Sequence, residues 1–476
     1  MPDIPLDNII AAPTQEPDAG FWPESRMLLR LASPTIAAMT SLTAAQFLDG
    51  WMLSRLDQHG AGVNLAASFN GGLLAYALIS FLLGFATCVS SLASQSLGRN
   101  EPRQAAIYAW QGMWLSALTA LICWPLIPFA GDLFWLVGHH GVLLQKETLY
   151  FRFALASVPL TFGMSVLGSF FIAVRRPVYQ FIAGGLGNGV NLLLDWVLIF
   201  GHWGCPRLGL LGAAIAFLAG AAVSLAAVAV VFLSKTYRRD YGTLEAWKLQ
   251  PQHAWRLLRI GAFAGVQIAS DTLSWAIFSI AVVDQFGPVA AEATSVVFRY
   301  TMLSFMPVVG LGAAVTVMVG QKIGAGDKPG ARRVARRSLI FAMAYMGLCG
   351  VLFVVLGGPL AQLILTRPVE VHLVQRLLLI AAAFQIFDAM NITFMGALRG
   401  AGDTLVPGIV TGVLSWGVCV LGGWVVGRLA PAWGAQGSWM MAAIYASLLG
   451  IFAAIRWRAA TWEKFNILGA RLKPVP

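Results

Sequence analysis

Four aspartates lie inside long apolar stretches of this 476-residue sequence, where an ionised side chain would be far from bulk water. They are Asp49, Asp195, Asp271 and Asp388. A charged side chain in the middle of a bilayer costs about 2.5–3.5 kcal/mol on insertion scales, so residues of this kind usually have a function. Burial favours the protonated form of a carboxyl group, whereas a neighbouring cation favours the ionised form. The four aspartates are therefore candidate sites for a proton or a metal cation.

Each of these aspartates has carboxamide side chains at helical spacing. The sets are Gln46 with Asp49; Asn188 and Asn191 with Asp195; Gln267 with Asp271; and Gln385 and Asn391 with Asp388. Spacings of three, four or seven residues place each set on one helix face, and such polar stripes face a bundle interior or a water-filled cavity. Carboxamides alone could simply hydrogen-bond to neighbouring helices. Four carboxylates with Arg299 as the single basic residue inside an apolar segment leave a negative surplus, which needs protons or imported cations.

The acids of the first half are expected to form one coupling site. Asn191 and Asp195 share a helix face, Asn188 lies one turn before them, and Asp49 is the only other acid inside the apolar segments of that half. Two carboxyl groups in a low dielectric do not both ionise easily, so a shared proton or cation would relieve their repulsion. We therefore expect Asp49 and Asp195 to approach each other and to bind H⁺ or Na⁺, with carboxamide oxygens nearby.

The acids of the second half are expected to face a cavity and to take part in export. Asp271 and Asp388, with Gln267 and Gln385 beside them, would contact a substrate or a cation. Aromatic faces attract organic cations by about 0.5–2 kcal/mol each, although ordinary packing also explains any single aromatic residue. Aromatic residues on or near these segments include Trp275, Phe278, Tyr300, Phe384 and Trp416.

Composition and segment length predict an all-α polytopic membrane protein. The chain is 58% hydrophobic and 11% charged, with a mean hydropathy of +0.73, whereas soluble domains carry roughly 25% charged residues. A helix needs about 20 largely apolar residues to cross a bilayer. Twelve apolar segments of that length begin near residues 29, 66, 105, 148, 178, 209, 256, 290, 333, 374, 405 and 435.

The distribution of basic residues predicts the orientation. With the amino terminus in the cytoplasm, inner loops and tails carry 24 of the 32 Lys and Arg residues, and outer loops carry 7. This bias follows the positive-inside rule and explains the net charge of +11 without a nucleic-acid partner. It predicts a multi-pass protein of the cell inner membrane with both termini cytoplasmic. The five scattered cysteines predict neither a disulfide framework nor a metal site.

The two halves of the chain repeat one plan. Three pairs of stretches match in order: DQHG (57–60) with DQFG (284–287), SQSLGRNEPRQA (94–105) with GQKIGAGDKPGA (320–331), and AVR (173–175) with ALR (397–399). Their offsets are 227, 226 and 224 residues. Internal repeats are typical of secondary transporters, whose substrate site lies between the repeats. With six spans in each half, the repeat runs parallel and predicts two six-helix lobes related by pseudo-two-fold symmetry.

The predicted domains follow from these patterns. Residues 1–25 lack a basic stretch before an apolar one, so they are not a signal peptide. The predicted ranges are a mobile cytoplasmic tail (1–25), an amino-terminal lobe (26–234), a cytoplasmic linker (235–256), a carboxy-terminal lobe (257–458) and a second cytoplasmic tail (459–476).

The sequence resembles the multidrug and toxic compound extrusion (MATE) family from about residue 27 to 458. The matching stretches are Pro34 followed by Asp49, SQSLG (94–98), GNGVNLLLDWVLIFG (187–201), PRLGLLGAAIA (206–216), GQKIGAGD (320–327) and FQIFDAMNITFMGALRGAGDT (384–404). The last stretch resembles the bacterial NorM-type branch. The resemblance implies two six-helix lobes around a V-shaped cavity and export of cationic drugs against an inward sodium or proton gradient.

The resemblance also assigns positions. It implies that Asp49, Asn191 and Asp195 match cation and proton positions of the amino-terminal lobe, with Na⁺ as the one possible metal. It matches Asp271 and Asp388 to acidic positions of the other lobe. Two departures stand out: Asp271 replaces a glutamate found in many relatives, and Phe217 stands where the sodium site of some members has a threonine.

The predicted function is multidrug efflux of cationic and lipophilic organic compounds in exchange for H⁺ or Na⁺, by a monomer with no other cofactor. The alternative is a flippase for lipid-linked oligosaccharides or other lipid-like substrates, which would need basic residues to bind anionic head groups. GAGD at 324–327 and 400–403 resembles the GxGD of intramembrane aspartyl proteases. Both copies sit in basic loops at helix ends and no apolar segment holds a Tyr-Asp pair, so no enzymatic activity is predicted.

Overall fold

A computed structural model describes residues 21–57, 63–136, 139–363, 367–465 and 467–469 of the chain, and these residues form helices joined by turns and short irregular segments. Residues 1–20 of the predicted tail 1–25 lie outside the described residues. In chain order the helices are α1 Phe21–Asp57, α2 Val63–Gly98, α3 Pro102–Cys123, α4 Ala130–Leu136, α5 Gly141–Ala173, α6 Val178–Phe200, α7 Leu210–Phe232, α8 Lys235–Tyr241, α9 Pro251–Ile277, α10 Pro288–Gly324, α11 Lys328–Gln362, α12 Pro368–Ala401, α13 Leu405–Leu414, α14 Gly423–Leu429 and α15 Gly434–Arg458.

The predicted polytopic all-α fold is confirmed. By length and composition, eleven helical stretches in the described part of the chain could cross a membrane. The 37-residue helix α1 precedes them. The eleven are Val63–Gly98, Pro102–Leu136, Gly141–Ala173, Val178–Phe200, Leu210–Phe232, Pro251–Val283, Val289–Gly324, Lys328–Gln362, Pro368–Ala401, Leu405–Leu429 and Pro431–Arg458.

Helices α1, α5 and α12 begin well before the apolar segments that predicted them, α1 at Phe21 rather than near residue 29. Helix α5 starts at Gly141 and α12 at Pro368, whereas the apolar segments begin near 148 and 374. The first two turns of α5 and the first turn of α12 therefore contain Glu147 and Glu370, whose exposed fractions are 0% and 3%. Both glutamates lie just before the apolar segments of the hydropathy pattern. A hydropathy pattern starts a segment only after the last polar residue. The helix can begin earlier because the polar side chain finds a partner.

The described residues form two compact units. The first unit contains residues 37–93 and 102–259, and the second contains the described residues of 21–36, 94–101 and 260–469. The second unit thus includes the beginning of α1 and the end of α2. Leu28, Leu31 and Ala32 of α1 belong to its hydrophobic core, which makes α1 a helix shared along its length by both units.

Inside the second unit, the ends of the repeat-related helices α2 and α10 cross at two glycines. A Cβ on Gly98 would overlap the carbonyl oxygen of Gln321, and a Cβ on Gly324 would overlap that of Gln95. The contact is reciprocal, because Gly98 and Gly324, like Gln95 and Gln321, are related by the 226-residue offset of the repeat. The Gln95 Nε2 also donates to the Gly400 carbonyl at 2.8 Å, which fixes α2 against α12.

Substituting either crossing glycine should disturb the packing. A methyl group at position 98 would meet backbone atoms, which cannot rotate away, so we expect Gly98→Ala to cost about 1–3 kcal/mol of packing energy. Gly324→Ala should behave similarly. The check is the melting temperature of the purified protein, with Gly185→Ala as the control, because a Cβ at Gly185 would have no atom within 4 Å. Equal melting temperatures for the variants at 98 and 185 would show that the crossing has room.

Two π-helical segments interrupt spans of the second unit. They cover Phe278–Val283 after α9 and Ser415–Gly422 between α13 and α14. They lie close together, since a Cβ on Gly423, the residue directly after the second segment, would lie 3.1 Å from Val282 Cγ1 of the first. Wide helical turns of this kind are frequent at functional sites. The first segment lies in the span that carries Asp271, and Cys419 of the second lies close enough to Asp271 to interact with it electrostatically.

Candidate functional site

The first unit brings two carboxyl groups together inside the protein. Asp195 on α6 is only 1% exposed, and its carboxyl group lies within hydrogen-bonding reach of that of Asp49 on α1. Among the described residues, nothing donates a hydrogen bond to either oxygen of Asp195 or to Oδ1 of Asp49. Ionised carboxylates only accept hydrogen bonds. The pair therefore needs a shared proton or a cation.

Close packing of α6 against α7 buries Asp195. Helix α6 meets α7 at two glycines: a Cβ on Gly220 would lie 2.8 Å from the Gly187 carbonyl and 2.9 Å from Asn191 Cβ. Asn191 is consequently buried, one turn from Asp195. In the described structure, no hydrogen bond joins Asn191 to either aspartate, and Asn188 is half-buried on the same face. The side chain of Gln46 lies outside the described residues.

Tyr150 is a member of this site that the sequence did not reveal. It lies on α5, close enough to interact electrostatically with both Asp49 and Asp195. Its ring stacks on Phe217, with centroids 6.5 Å apart and an interplanar angle of 29°. Tyrosine counts as an apolar residue in a hydropathy pattern, and its spacing of three from Glu147 was the available signal. Because Phe217 offers a ring at this position, it supplies no oxygen ligand for a cation.

A second buried acid of the first unit lies one helical turn from Tyr150. Both carboxylate oxygens of Glu147 have partners: Asn70 Nδ2 donates to Oε1 at 2.6 Å, and His139 Nδ1 lies 2.7 Å from Oε2. The His139 side chain is 31% exposed, while that of Glu147 is completely buried. This cluster therefore reaches from the protein surface to the depth of Tyr150.

The second unit surrounds its acids with donors. Tyr445 Oη donates to Asp271 Oδ1 at 2.6 Å, and the Trp275 side chain hydrogen-bonds to the same carboxyl group. Asn391 hydrogen-bonds to Asp388, which lies close enough to Asp271 for their charges to interact. Donated hydrogen bonds stabilise an ionised carboxylate. These acids thus have neutral hydrogen-bond donors, whereas no described residue donates to the carboxyl oxygens of Asp195.

The two glutamines of the second unit have different environments. Gln385 Nε2 donates to Ser304 Oγ at 2.8 Å, so its amide is engaged away from the acids. Gln267 is buried, and its Oε1 receives no hydrogen bond from the described residues. An oxygen of this kind can still accept a hydrogen bond from a substrate or contact a cation.

Aromatic rings pack around Asp271. Trp275 makes contacts with Phe278, Phe298, Trp439 and Tyr445 at centroid distances of 5.6–6.5 Å. Trp275 and Phe278 were among the aromatic residues noted in the sequence, whereas the other three come from neighbouring helices. Arg299 is exposed on α10. The acidic site of this unit thus combines carboxylates with aromatic faces, the features that attract organic cations.

The chain is similar to known proteins over most of its length. The sequence profile of the MatE family matches residues 34–197 and 270–425. A probable multidrug resistance protein NorM of Mesorhizobium japonicum is 29% identical over 418 residues, covering 86% of this chain and 88% of that protein. Another protein of that name, from Brucella suis, is 28% identical over 470 residues, covering 95% and 98% of the two chains.

The fold has a counterpart among solved structures. The outward-facing conformation of a multidrug resistance MATE family transporter of the MOP superfamily superposes with a TM-score of 0.83 at 19% identity, covering 93% of this chain and 97% of that one. The sequence match spans both halves, including Asp49, Asp195, Asp271 and Asp388. The chain therefore belongs to the MatE family of membrane transporters, in its NorM-type branch.

Proposed function

We propose that this protein exports cationic and lipophilic organic compounds across the cell inner membrane in exchange for protons. The observation that carries the proposal is the difference between the two acidic sites. In the first unit, no described residue donates to either oxygen of Asp195 or to Oδ1 of Asp49, whereas in the second unit Tyr445 and Trp275 donate to Asp271. The first site needs a proton or cation, whereas the acids of the second have neutral hydrogen-bond donors and can face a cationic cargo.

A proton fits the first site better than Na⁺. Two carboxyl groups within hydrogen-bonding reach can share one proton, with the protonated group donating to the ionised one. A sodium ion needs a shell of several oxygens. Asn191 makes no hydrogen bond to either aspartate. Phe217, whose ring stacks on that of Tyr150, has no side-chain oxygen to offer a sodium ion. The described side chains thus favour H⁺ as the coupling ion over Na⁺, the other ion that the sequence left open.

The second site suits a cationic cargo. Asp271 and Asp388 supply negative charge, and Trp275 with its aromatic neighbours supplies π-faces. A flippase for an anionic lipid-linked substrate would instead need basic side chains at this site. The relatives named multidrug resistance proteins support export of several compounds rather than one. Membrane lipid is the expected surrounding, and a monomer is the expected working unit.

Coupling requires that the two conformations of the transporter bind the proton differently. Protonation removes the repulsion between Asp49 and Asp195 and allows α1 and α6 to pack closely. Loss of the proton restores the repulsion and favours their separation. A conformational change that alters the distance between Asp49 and Asp195 therefore changes the affinity for the proton, and the affinity for the cargo changes with it.

The decisive experiment is transport of a fluorescent organic cation in proteoliposomes under separately imposed proton and sodium gradients. We expect a proton gradient alone to drive dye movement and a sodium gradient alone to leave the dye at the rate of empty liposomes. Equal driving by sodium without a pH difference would contradict proton coupling. Liposomes without protein, and liposomes treated with a protonophore, provide the controls.

The proposed orientation can be tested by labelling introduced cysteines. We expect Leu429→Cys to react with a membrane-impermeant reagent from the periplasmic side, and Lys464→Cys to react only after the cytoplasmic side is opened, because the basic residues favour a cytoplasmic carboxy terminus. Both positions are exposed. The background must lack the native free cysteines, which are Cys88, Cys123, Cys205, Cys349 and Cys419. The reverse labelling pattern would overturn the topology.

A further inference from the structure

The buried Glu147 of α5 and its partner His139 are residue types that can relay a proton. Glu147 has no exposed surface, yet one of its oxygens contacts His139, a side chain partly open to solvent. Histidine is the side chain whose ordinary pKa allows it to exchange protons near neutral pH. On the proposed topology, this end of α5 faces the periplasm, from which the coupling proton would enter.

The glutamate is also close to the buried aspartates. Tyr150 follows Glu147 by one helical turn, and Gly71 of α2 packs across that turn: its Cβ would lie 3.2 Å from Tyr150 Cδ1 and 3.4 Å from the Glu147 carbonyl. The preceding residue, Asn70, is the one that donates to Glu147. Tyr150 in turn interacts with Asp49 and Asp195. Titratable groups thus lie in succession from the surface to the aspartate pair.

The equivalent place in the second unit has a different partner. Glu370 is buried at the start of α12, offset by 223 residues from Glu147 and therefore within one residue of the 224-residue repeat offset. Its partner is Arg367, with Nη1 3.2 Å from Oε1. A guanidinium remains charged at any physiological pH and does not give up its proton. The repeat has kept a buried glutamate in both units but combined it with a proton-exchanging partner only in the first.

We propose that His139 and Glu147 form the port through which protons from the outer side reach the Asp49–Asp195 pair. The inference rests on the proposed proton coupling. His139 takes a proton from water at Nε2 and gives the Nδ1 proton to Oε2 of Glu147, which leaves a neutral imidazole and a neutral carboxylic acid. Glu147 then releases this proton toward Tyr150 and the aspartates and becomes a carboxylate again. His139 returns from the Nε2–H to the Nδ1–H tautomer by proton exchange with water before the next cycle.

The charged neighbours of the port are few. Helix α4 contributes Asp132, and α5 itself contributes Lys146 and Arg152; the Lys146 ammonium is bound to Asn64 Oδ1 at 2.7 Å. His140 follows His139 and is exposed. Helix α7 and the turn Trp124–Phe129 carry no charged residue, and α2 presents the carboxamides of Asn64 and Asn70. Among the described residues, His139 is thus the proton-exchanging group in direct contact with Glu147.

The test measures dye transport in proteoliposomes while the outer pH is varied at a fixed inner pH. Glu147→Gln and His139→Gln preserve the size and hydrogen-bonding capacity of their sites but cannot relay a proton. We expect both to reduce proton-driven transport by at least about tenfold and to flatten its dependence on outer pH, while the Kd for the dye stays unchanged. His140→Gln is the matched control and should keep the wild-type profile.

The outcomes separate the port from the proposed function. If wild-type protein shows no proton-driven transport, proton coupling fails and the port fails with it. If wild-type transport is proton-driven but both variants keep the wild-type dependence on outer pH, the port alone is wrong. If the variants lose dye binding together with transport, the cluster is a structural one and the port is likewise overturned.

Discussion

Asp195→Asn is expected to reduce gradient-driven export to the rate of empty liposomes. The substitution keeps the shape of the side chain but removes the titratable group, and the amide can donate a hydrogen bond to Asp49. The pair would then be permanently satisfied, without any need for a proton. The measurement is efflux of a fluorescent cation under an imposed pH gradient, with protein recovery checked by size-exclusion chromatography.

Two comparisons sharpen this prediction. Glu245→Gln alters an exposed acid of the same unit, paired with Arg103 at 3.4 Å, and should export normally. The double variant of Asp49→Asn and Asp195→Asn should be no worse than either single variant, because residues of one coupled site have non-additive effects. Wild-type export by Asp195→Asn would remove this residue from the coupling mechanism.

Asp271→Asn is expected to weaken binding of a cationic dye by about tenfold or more, which corresponds to about 1.4 kcal/mol. The carboxylate is the countercharge nearest to the aromatic cluster, and the substitution removes that charge while an amide fills the same space. Binding of an uncharged lipophilic dye should change much less. Fluorescence titration of both dyes in detergent gives the two Kd values.

The hydroxyl of Tyr445 provides a graded version of this experiment. Tyr445→Phe removes a donor to Asp271 but leaves the carboxyl group, so its effect on the cationic dye should be smaller than that of Asp271→Asn. Ser304→Ala is a control in the same unit, because it removes only the partner of Gln385. An equal loss for charged and uncharged dyes would show that Asp271 acts through packing rather than charge.

The four aspartates could be predicted from the sequence because each interrupts an otherwise apolar run. Helical spacing also indicated that Asn191 and Asp195 share a face. Their partners could not be predicted in the same way, since Tyr150 and Tyr445 approach the acids from other helices and look apolar in a hydropathy pattern. A single sequence carries no record of such contacts between distant residues.

The buried glutamates show a different limit. Glu147 and Glu370 lie just before the apolar runs of their helices, so a hydropathy pattern starts both helices too late. What keeps these carboxylates inside is a particular partner, His139 or Arg367, in each case from the segment just before the helix or at its start. The π-helical segments were equally invisible, because the wide turn depends on packing between spans rather than on residue type.

The division of α1 between the two units has a consequence for synthesis of the chain. Ile36 packs on Gly310, about 270 residues further along, so the beginning of α1 leaves the ribosome long before its partners exist. Contacts between such distant residues form slowly, and uncovered apolar surface is prone to misassembly in the meantime. The first unit can be synthesised completely before the residues of the second unit that cover Leu28 and Leu31 exist. A chain truncated after the linker would therefore present a half-packed first helix to the insertion and quality-control machinery, and the two halves are not interchangeable modules of the gene.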